Sequence, residues 1–259
     1  MITVVKIGGH VLDDEVLLER FCRDFIALAG TKLLVHGGGA LAGEVQKSMG
    51  IEPQMIEGRR VTDADTLRVV TMVYSGWCNK RLVAILQSLG CNAIGFSGCD
   101  AGCITASRRP PRTLADGVTK VDYGFVGDVR PSSVDTRFLR NVLGAGFVPV
   151  MCAINHDGRG QLLNTNADTV ASSIAAALGA RLVCCFEKKG VLSDVNDPSN
   201  VIPYIDSASF EQLKASGSVS EGMLPKLENA FTALRQGAPE VILKSASELL
   251  SRSGTKICL

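Results

Sequence analysis

An α/β fold built on a mostly parallel sheet is what this sequence predicts, and three observations predict it. Short apolar runs alternate with helical patterns along the chain, which is the βαβ signature. Two glycine turns, Lys6-Ile7-Gly8-Gly9 and His36-Gly37-Gly38-Gly39, sit where predicted strands hand over to helices. The 259 residues, 46% apolar and 20% charged, can bury the core of one large domain or of two lobes.

The first strand is expected over Ile2 to Ile7 and the second over Lys32 to Val35. Glycine at each exit lets backbone N–H groups approach a ligand, and the helix that follows aims its positive dipole end at the same spot. Both turns therefore read as cradles for phosphate or carboxylate. A helix of nearly thirty residues is expected from Asp63 to Leu89. Thr62 with Asp65 reads as its capping box, Val70, Val73, Trp77, Leu82, Ile85, Leu86 and Leu89 keep helical spacing, and Gly90 closes it. It is long enough to supply a subunit interface, and an amphipathic core helix is the plainer reading. A third strand follows at Asn92 to Phe96. Residues Ala106 to Ser133, with Arg108, Arg109, Pro110, Pro111 and Arg112, suit an irregular surface flap whose arginines are solvated. The strand Phe147 to Ile154 runs into the turn at Asn155 to Gly158, and Gln161 to Leu163 returns as its hairpin partner. That hairpin delivers Asn164-Thr165-Asn166-Ala167-Asp168, which opens a helix from about Asp168 to Leu178 with Gly179 as its stop. A lobe boundary is placed near here. Strands at Arg181 to Phe186 and Glu240 to Leu243 complete the pattern.

Composition narrows the function. A formal net charge of +1 with interleaved signs gives no case for nucleic acid, so small ligands are favoured. Nine cysteines show no CxxC pair, which argues against a zinc site, and no metal ligands are assigned. The odd cysteine count and the absence of a signal peptide point to a reducing cytoplasm, and no leader is expected before the first strand. No apolar run approaches the ~20 residues that span a bilayer.

The glycine runs admit several chemistries. Gly37 to Ala42 satisfies a loose dinucleotide fingerprint, but no acidic residue ends a second strand at the required distance. HGGG also occurs in esterase oxyanion loops, yet Gly95-Phe96-Ser97-Gly98-Cys99 breaks the GxSxG elbow. A Walker loop is excluded because the chain has no Gly-Lys dipeptide. Lys6, near the end of a buried strand, is costly unless it reaches an anion or snorkels. Pro225 suits a first helical turn, which puts Lys226 where the dipole disfavours a cation by ~0.3 to 1 kcal/mol, so an anion in front of it would explain it. Asp168 is favourable in a first turn on its own account. Two lysines, one carboxylate, glycine cradles and few histidines suit phosphoryl transfer, which is mostly positioning and charge neutralisation. An acceptor carboxylate with pKa ~4.3 is already ionised and needs no general base. His10, His36 and His156 then need only structural or binding roles.

Lys6-Ile7-Gly8-Gly9, His36-Gly37-Gly38-Gly39, Gly58-Arg59-Arg60-Val61-Thr62, Asn164 to Asp168, Gly222-Met223-Leu224-Pro225-Lys226 and Gly254-Thr255-Lys256-Ile257 occur in this order. Together they resemble the acetylglutamate kinases of the amino acid kinase family over nearly the whole chain. The resemblance implies the open αβα sandwich of the carbamate kinase-like fold, with residues 1–170 as the lobe for acyl-glutamate and dimerisation and residues 171–259 as the ATP lobe. It implies ATP-dependent phosphorylation of the side-chain carboxylate of N-acyl-L-glutamate in arginine biosynthesis, N-acetyl by default with N-succinyl open. Lys6 and Lys226 would flank the phosphoryl group, with Asp168 holding both lysines. Gly38, Gly39, Arg60, Asn164 and Asn166 would bind the acyl-glutamate, Arg60 clamping its α-carboxylate. Gly8, Gly9, Gly190, Gly222 and Met223 would join the lysines at ATP. Mg2+ would be held mainly by the nucleotide phosphates.

Arg60 also reads as a surface arginine, and Asn164 and Asn166 as turn and cap residues. The chain departs from the family at Phe186-Glu187-Lys188-Lys189-Gly190-Val191, where an aspartate-containing turn is usual, and at Cys99, where lysine is common. Since Ile2 already opens the first strand, the resemblance implies a homodimer through the Asp63 to Leu89 helix, without the N-terminal helix of arginine-inhibited hexamers. A non-catalytic nucleotide or amino-acid sensor, or another carboxylate or carbamate kinase, is the alternative.

Overall fold

The computed structural model describes residues 1–114, 117–193, 197, 200–216 and 223–259. Its centre is an eight-stranded sheet in the order Tyr204–Ile205, Thr255–Ile257, Val241–Ser245, Arg181–Phe186, Thr3–Ile7, Lys32–His36, Val148–Cys152, Ala93–Phe96. Every neighbouring pair is parallel except Val241–Ser245 with Thr255–Ile257. Central strands such as Thr3–Ile7 are buried throughout, as their largely β-branched and apolar runs require in a sheet covered on both faces, with Lys6 the charged exception.

Successive side chains serve opposite faces. Val4, Leu33, Val35, Leu182 and Leu243 pack against α6 (Thr136–Gly144), α7 (Ala167–Leu178), α8 (Ser207–Ser216) and α9 (Leu224–Arg235). Val5, Ile7, Leu34, Val183 and Cys185 pack against α1 (Gly9–Asp13), α2 (Glu15–Ala27), α3 (Gly39–Ser48), α4 (Ala64–Thr71) and α5 (Asn79–Ser88). Each fully buried Leu, Ile or Phe on these faces contributes roughly 1.5 to 3 kcal/mol. The result is the predicted αβα sandwich. A second, four-stranded sheet of Ile154–His156, Leu162–Thr165, Val126–Asp128 and Ser107–Arg108 lies beside it.

The predicted hairpin and the helix ending at Gly179 form as expected, with Ile154–His156 antiparallel to Leu162–Thr165 and Gly179 left-handed at φ 61°. Three expectations need correction. The strand expected from Phe147 to Ile154 is two strands, because Ala153 breaks the run and passes the chain from one sheet to the other. The long helix is continuous, but its cap is Asp63, whose side chain accepts from the Thr66 N–H at 2.8 Å. Thr62 is unavailable for capping: its backbone is paired to Tyr123 and Phe125, and its hydroxyl bonds Arg60 O and accepts from Asn164 Nδ2. The middle of that helix, Met72–Cys78, is a π-turn, so Tyr74 and Cys78 turn inward while Trp77 emerges 63% exposed. The flap is also more ordered than expected. Ser107–Arg108 joins the second sheet, Arg112–Thr113 pairs with Lys120–Val121, and the Arg109 side chain is only 13% exposed.

Candidate active site

Doubly wound sheets bind ligands outside the carboxyl ends of their strands, beside the strand from which the chain winds in both directions. Here that strand is Thr3–Ile7, with Lys32–His36 on one side and Arg181–Phe186 on the other. Two cavities open at these ends and share Lys6, Gly8 and Gly9. The larger, about 670 Å3, is lined among others by Gly38, Gly39, Arg60, Asn164, Asn166 and Asp168. The smaller, about 380 Å3, is lined by His10, Val11, Phe186, Glu187, Lys188, Met223 and Lys226 besides the shared residues.

Lys6 takes its place from strand parity. It shares the face of Val4, towards α7, whose first turn carries Asp168. The Lys6 ammonium meets the Asp168 carboxylate at 2.7 Å and is 7% exposed. Burial alone would lower the Lys6 pKa, but the charge and hydrogen bond of Asp168 outweigh it and hold the lysine above its ordinary 10.5. Lys6 is therefore a permanently charged ammonium at the junction of both cavities. The neighbouring Cys184 and Cys185 are inert by comparison, since burial raises both thiols, Cys185 to about 12.

The two glycine turns face one another. A Cβ built on Gly9 would lie 3.9 Å from the backbone nitrogens of Gly39 and Ala40, so the exits of two adjacent strands converge on one space. Gly38 can only be glycine, because its φ is +151° and a Cβ there would stand 2.9 Å from Tyr74 Cδ1 and 3.0 Å from Cys78 Sγ. Arg60 is held rather than loose: Nη2 donates to Gly39 O at 2.8 Å and Nη1 to Gln46 Oε1, while Gln46 in turn donates to Thr66 at 3.0 Å. Asn164 is 8% exposed, donates to Thr62 at 3.0 Å and lines the same cavity as Arg60. Asn166 lines the cavity too, but its side-chain oxygen caps α7 by accepting from the N–H groups of Asp168 and Thr169.

On the other side Lys226 lies in the first turn of α9, half-buried, with Met223 as the capping position and Pro225 beside it. Gly190 lines neither cavity. It packs so closely that a Cβ would meet Val201 and, at 2.8 Å, Thr255 Oγ1, so its glycine answers to packing. Gly222 falls outside the described residues.

Sequence reasoning missed three residues that line the larger cavity, Tyr74, Arg59 and Arg109, and also Gln46, which holds Arg60. Gln46 left a readable signal, a polar residue one turn after buried Ala42 on the inner stripe of α3. His36 is fully buried and does not contact the cavities. Its Nδ1–H donates to Gly37 O at 2.8 Å and its Nε2 accepts from Asn79, which also donates to Val150 O. Burial holds it neutral and lowers its pKa from 6.5 to about 4. The unfolded chain takes up this proton near 6.5 and the folded one near 4, so acidification through that window favours unfolding, on the order of 3 kcal/mol for this group. Urea midpoints measured from pH 7 to 4 should fall accordingly, and the fall should be shallower in a folded His36→Gln variant.

Among the described residues no three His, Cys, Asp or Glu side chains cluster as a metal site, and no helix is long and apolar enough to cross a membrane. The family model that matches residues 1–245 is that of the amino acid kinase family. Acetylglutamate kinase of Bacteroides thetaiotaomicron is 49% identical over 99% of this chain and 98% of its own length. Acetylglutamate kinase of Methanopyrus kandleri is 43% identical over 97% and 98%. Among solved structures, N-acetylglutamate synthase from Neisseria gonorrhoeae superposes with a TM-score of 0.78 at 22% identity, over all of this chain and 59% of that one. Carbamate kinase from Giardia lamblia gives 0.68 at 15% identity, over 99% and 97%. With residues 1–245 matched and relatives close to half identical over nearly full length, the chain belongs to the amino acid kinase family.

Proposed function

We propose that this chain is an ATP-dependent kinase of N-acyl-L-glutamate, and that it phosphorylates the side-chain carboxylate to an acyl phosphate in arginine biosynthesis. The names of its relatives support that activity. The observation that carries the reading at this site is the meeting of two cavities at Lys6, one walled by Arg60 and Asn164, the other by Lys226 and Met223. We assign residues 1–170 to the acyl-glutamate and residues 171–259 to ATP.

In this reading Arg60 clamps the α-carboxylate with a guanidinium already oriented by Gly39 and Gln46. Asn164 bonds the same end of the substrate. The acceptor carboxylate is ionised at neutral pH and attacks without a base. Lys6 and Lys226 neutralise the charge that spreads over the phosphoryl oxygens in flight, and the glycine turns supply backbone N–H donors. Asp168 keeps Lys6 charged and aimed. The scarcity of carboxylate clusters among the described residues suits Mg2+ chelated by nucleotide phosphates, where it would offset phosphate charge.

Hydroxamate trapping of the acyl phosphate with ATP and an N-acyl-L-glutamate tests the activity; tight binding of both substrates without turnover would favour a sensor. Arg60→Ala should raise KM for the acyl-glutamate about tenfold to a hundredfold with kcat less changed, the mark of lost uniform binding. An unchanged KM tells against the clamp.

The exposed Met72 and Trp77 on the π-turn support a homodimer through the long helix. Light scattering should give twice the chain mass, and Trp77→Glu should give the monomer; a wild-type monomer sinks this assembly. Nine free thiols support a reducing, cytoplasmic setting.

A further inference from the structure

The larger cavity is lined by the cations Lys6, Lys47, Arg59, Arg60 and Arg109 against the acids Glu44, Glu52 and Asp168, a positive balance. In the proposed reading Arg60, held in place by Gly39 and Gln46, takes the α-carboxylate. A second pair of guanidiniums, Arg59 and Arg109, lines the same cavity beside Met55 and Val126. Arg59 is exposed and its backbone pairs with Ile56, while its side chain makes no hydrogen bond or salt bridge among the described residues and has Asp128 and Glu228 as acidic electrostatic neighbours. Arg109, whose side chain is 13% exposed, is held along one edge: its Nε donates to both oxygens of Asp128 at 3.2 and 3.1 Å, and Nη2 also donates to that carboxylate. Nη1 is left over. Burial, and then the charge of Arg109, lower the Arg59 pKa, while Asp128 only partly compensates. Arg109 is already paired with Asp128, so the exposed guanidinium of Arg59, which lines the same cavity, is the group of the two still open to a ligand carboxylate. The methyl of an acetyl group offers it nothing.

We infer that Arg59 and Arg109 form a subsite for a third substrate carboxylate, carried at the far end of the acyl group, so that the preferred acceptor is a dicarboxylic acyl-glutamate such as N-succinyl-L-glutamate. The inference rests on the acyl-glutamate kinase reading and names its acyl class. The planar fork of arginine suits a carboxylate, and a site built for a charged group discriminates strongly against an analogue that lacks it. The flap, expected to be solvated and uninvolved, supplies Arg109 and Val126 to this wall.

Initial rates with ATP and either N-succinyl- or N-acetyl-L-glutamate test it. The succinyl substrate should show kcat/KM at least about tenfold higher, and Arg59→Ala should reduce that advantage to within a few-fold by raising the succinyl KM. Arg109→Gln, checked for folding by its thermal midpoint, should act in the same direction. Equal or better use of N-acetyl-L-glutamate overturns the subsite while leaving the kinase reading intact. An equal loss for both substrates in Arg59→Ala also overturns it, since that marks a role at the shared glutamate end. Turnover of neither acyl-glutamate overturns the kinase reading and the subsite together.

Discussion

Replacing Lys6 by Ala is expected to slow turnover about 10²- to 10³-fold while leaving the chain folded, the loss typical of one preorganised transition-state donor. The side chain sits at the junction of both cavities and is charged because Asp168 holds it so. Its charge is worth most where charge develops, on the phosphoryl oxygens between donor and acceptor, so kcat should fall further than KM rises. Folding should survive because what remains is Asp168, 20% exposed in its side chain and in the first turn of α7, where the helix dipole favours an acid. Lys226→Ala should lose turnover on the same scale from the ATP side. Acyl hydroxamate formation at saturating substrates measures both, and near-normal kcat in both variants sinks the proposed mechanism.

Much of this site was legible in the sequence because its signals are local. A glycine turn after a β-branched run, or a lysine where burial or a helix dipole opposes it, declares itself within a few residues. Lys6, Gly38 and Gly39 were singled out this way, as was the hairpin that delivers Asn164, whereas Asp168, favourable in a first helical turn on its own account, was singled out only by the family resemblance. What escaped was set by pairing across long separations. Thr62 looked like a cap, but Tyr123, Phe125 and Asn164 claim its backbone and hydroxyl, so Asp63 takes the role. The flap looked loose because its contacts are not between near neighbours in sequence: Arg109 is fixed by Asp128 at the other end of the flap, and Arg112 by Glu57 outside it, with Tyr123 beneath both arginines. Trp77 kept helical spacing on paper, and the π-turn rotated it outward. Gly190 read as a ligand contact, whereas the crowding of Val201 and Thr255 is its visible reason.

Removing the other half of the central pair should have the opposite character. Asp168→Ala leaves a lysine that is 7% exposed without the counter-ion 2.7 Å away, and breaking a buried pair from one side costs about 3 to 5 kcal/mol. Turnover should fall too, since Lys6 loses its aim and part of its charge. With Asp168 gone, burial dominates and draws the Lys6 pKa below 10.5. The unfolded chain then binds more protons than the folded one between that lowered value and 10.5, so the variant's stability deficit should shrink as pH rises through this window. The parent pair behaves in the reverse sense, because its Lys6 pKa is raised: its contribution is complete below 10.5 and is lost only as pH climbs through the higher folded value. Urea midpoints of both proteins at pH 7 and 9.5 decide the matter. A deficit that stays constant or widens with pH would mean that Lys6 is not the group left stranded. The double variant Lys6→Met with Asp168→Leu should regain most of the stability and none of the activity, since an apolar pair of similar volume avoids the desolvation cost of the ions. Recovery without turnover separates what the pair does for folding from what Lys6 does for phosphoryl transfer.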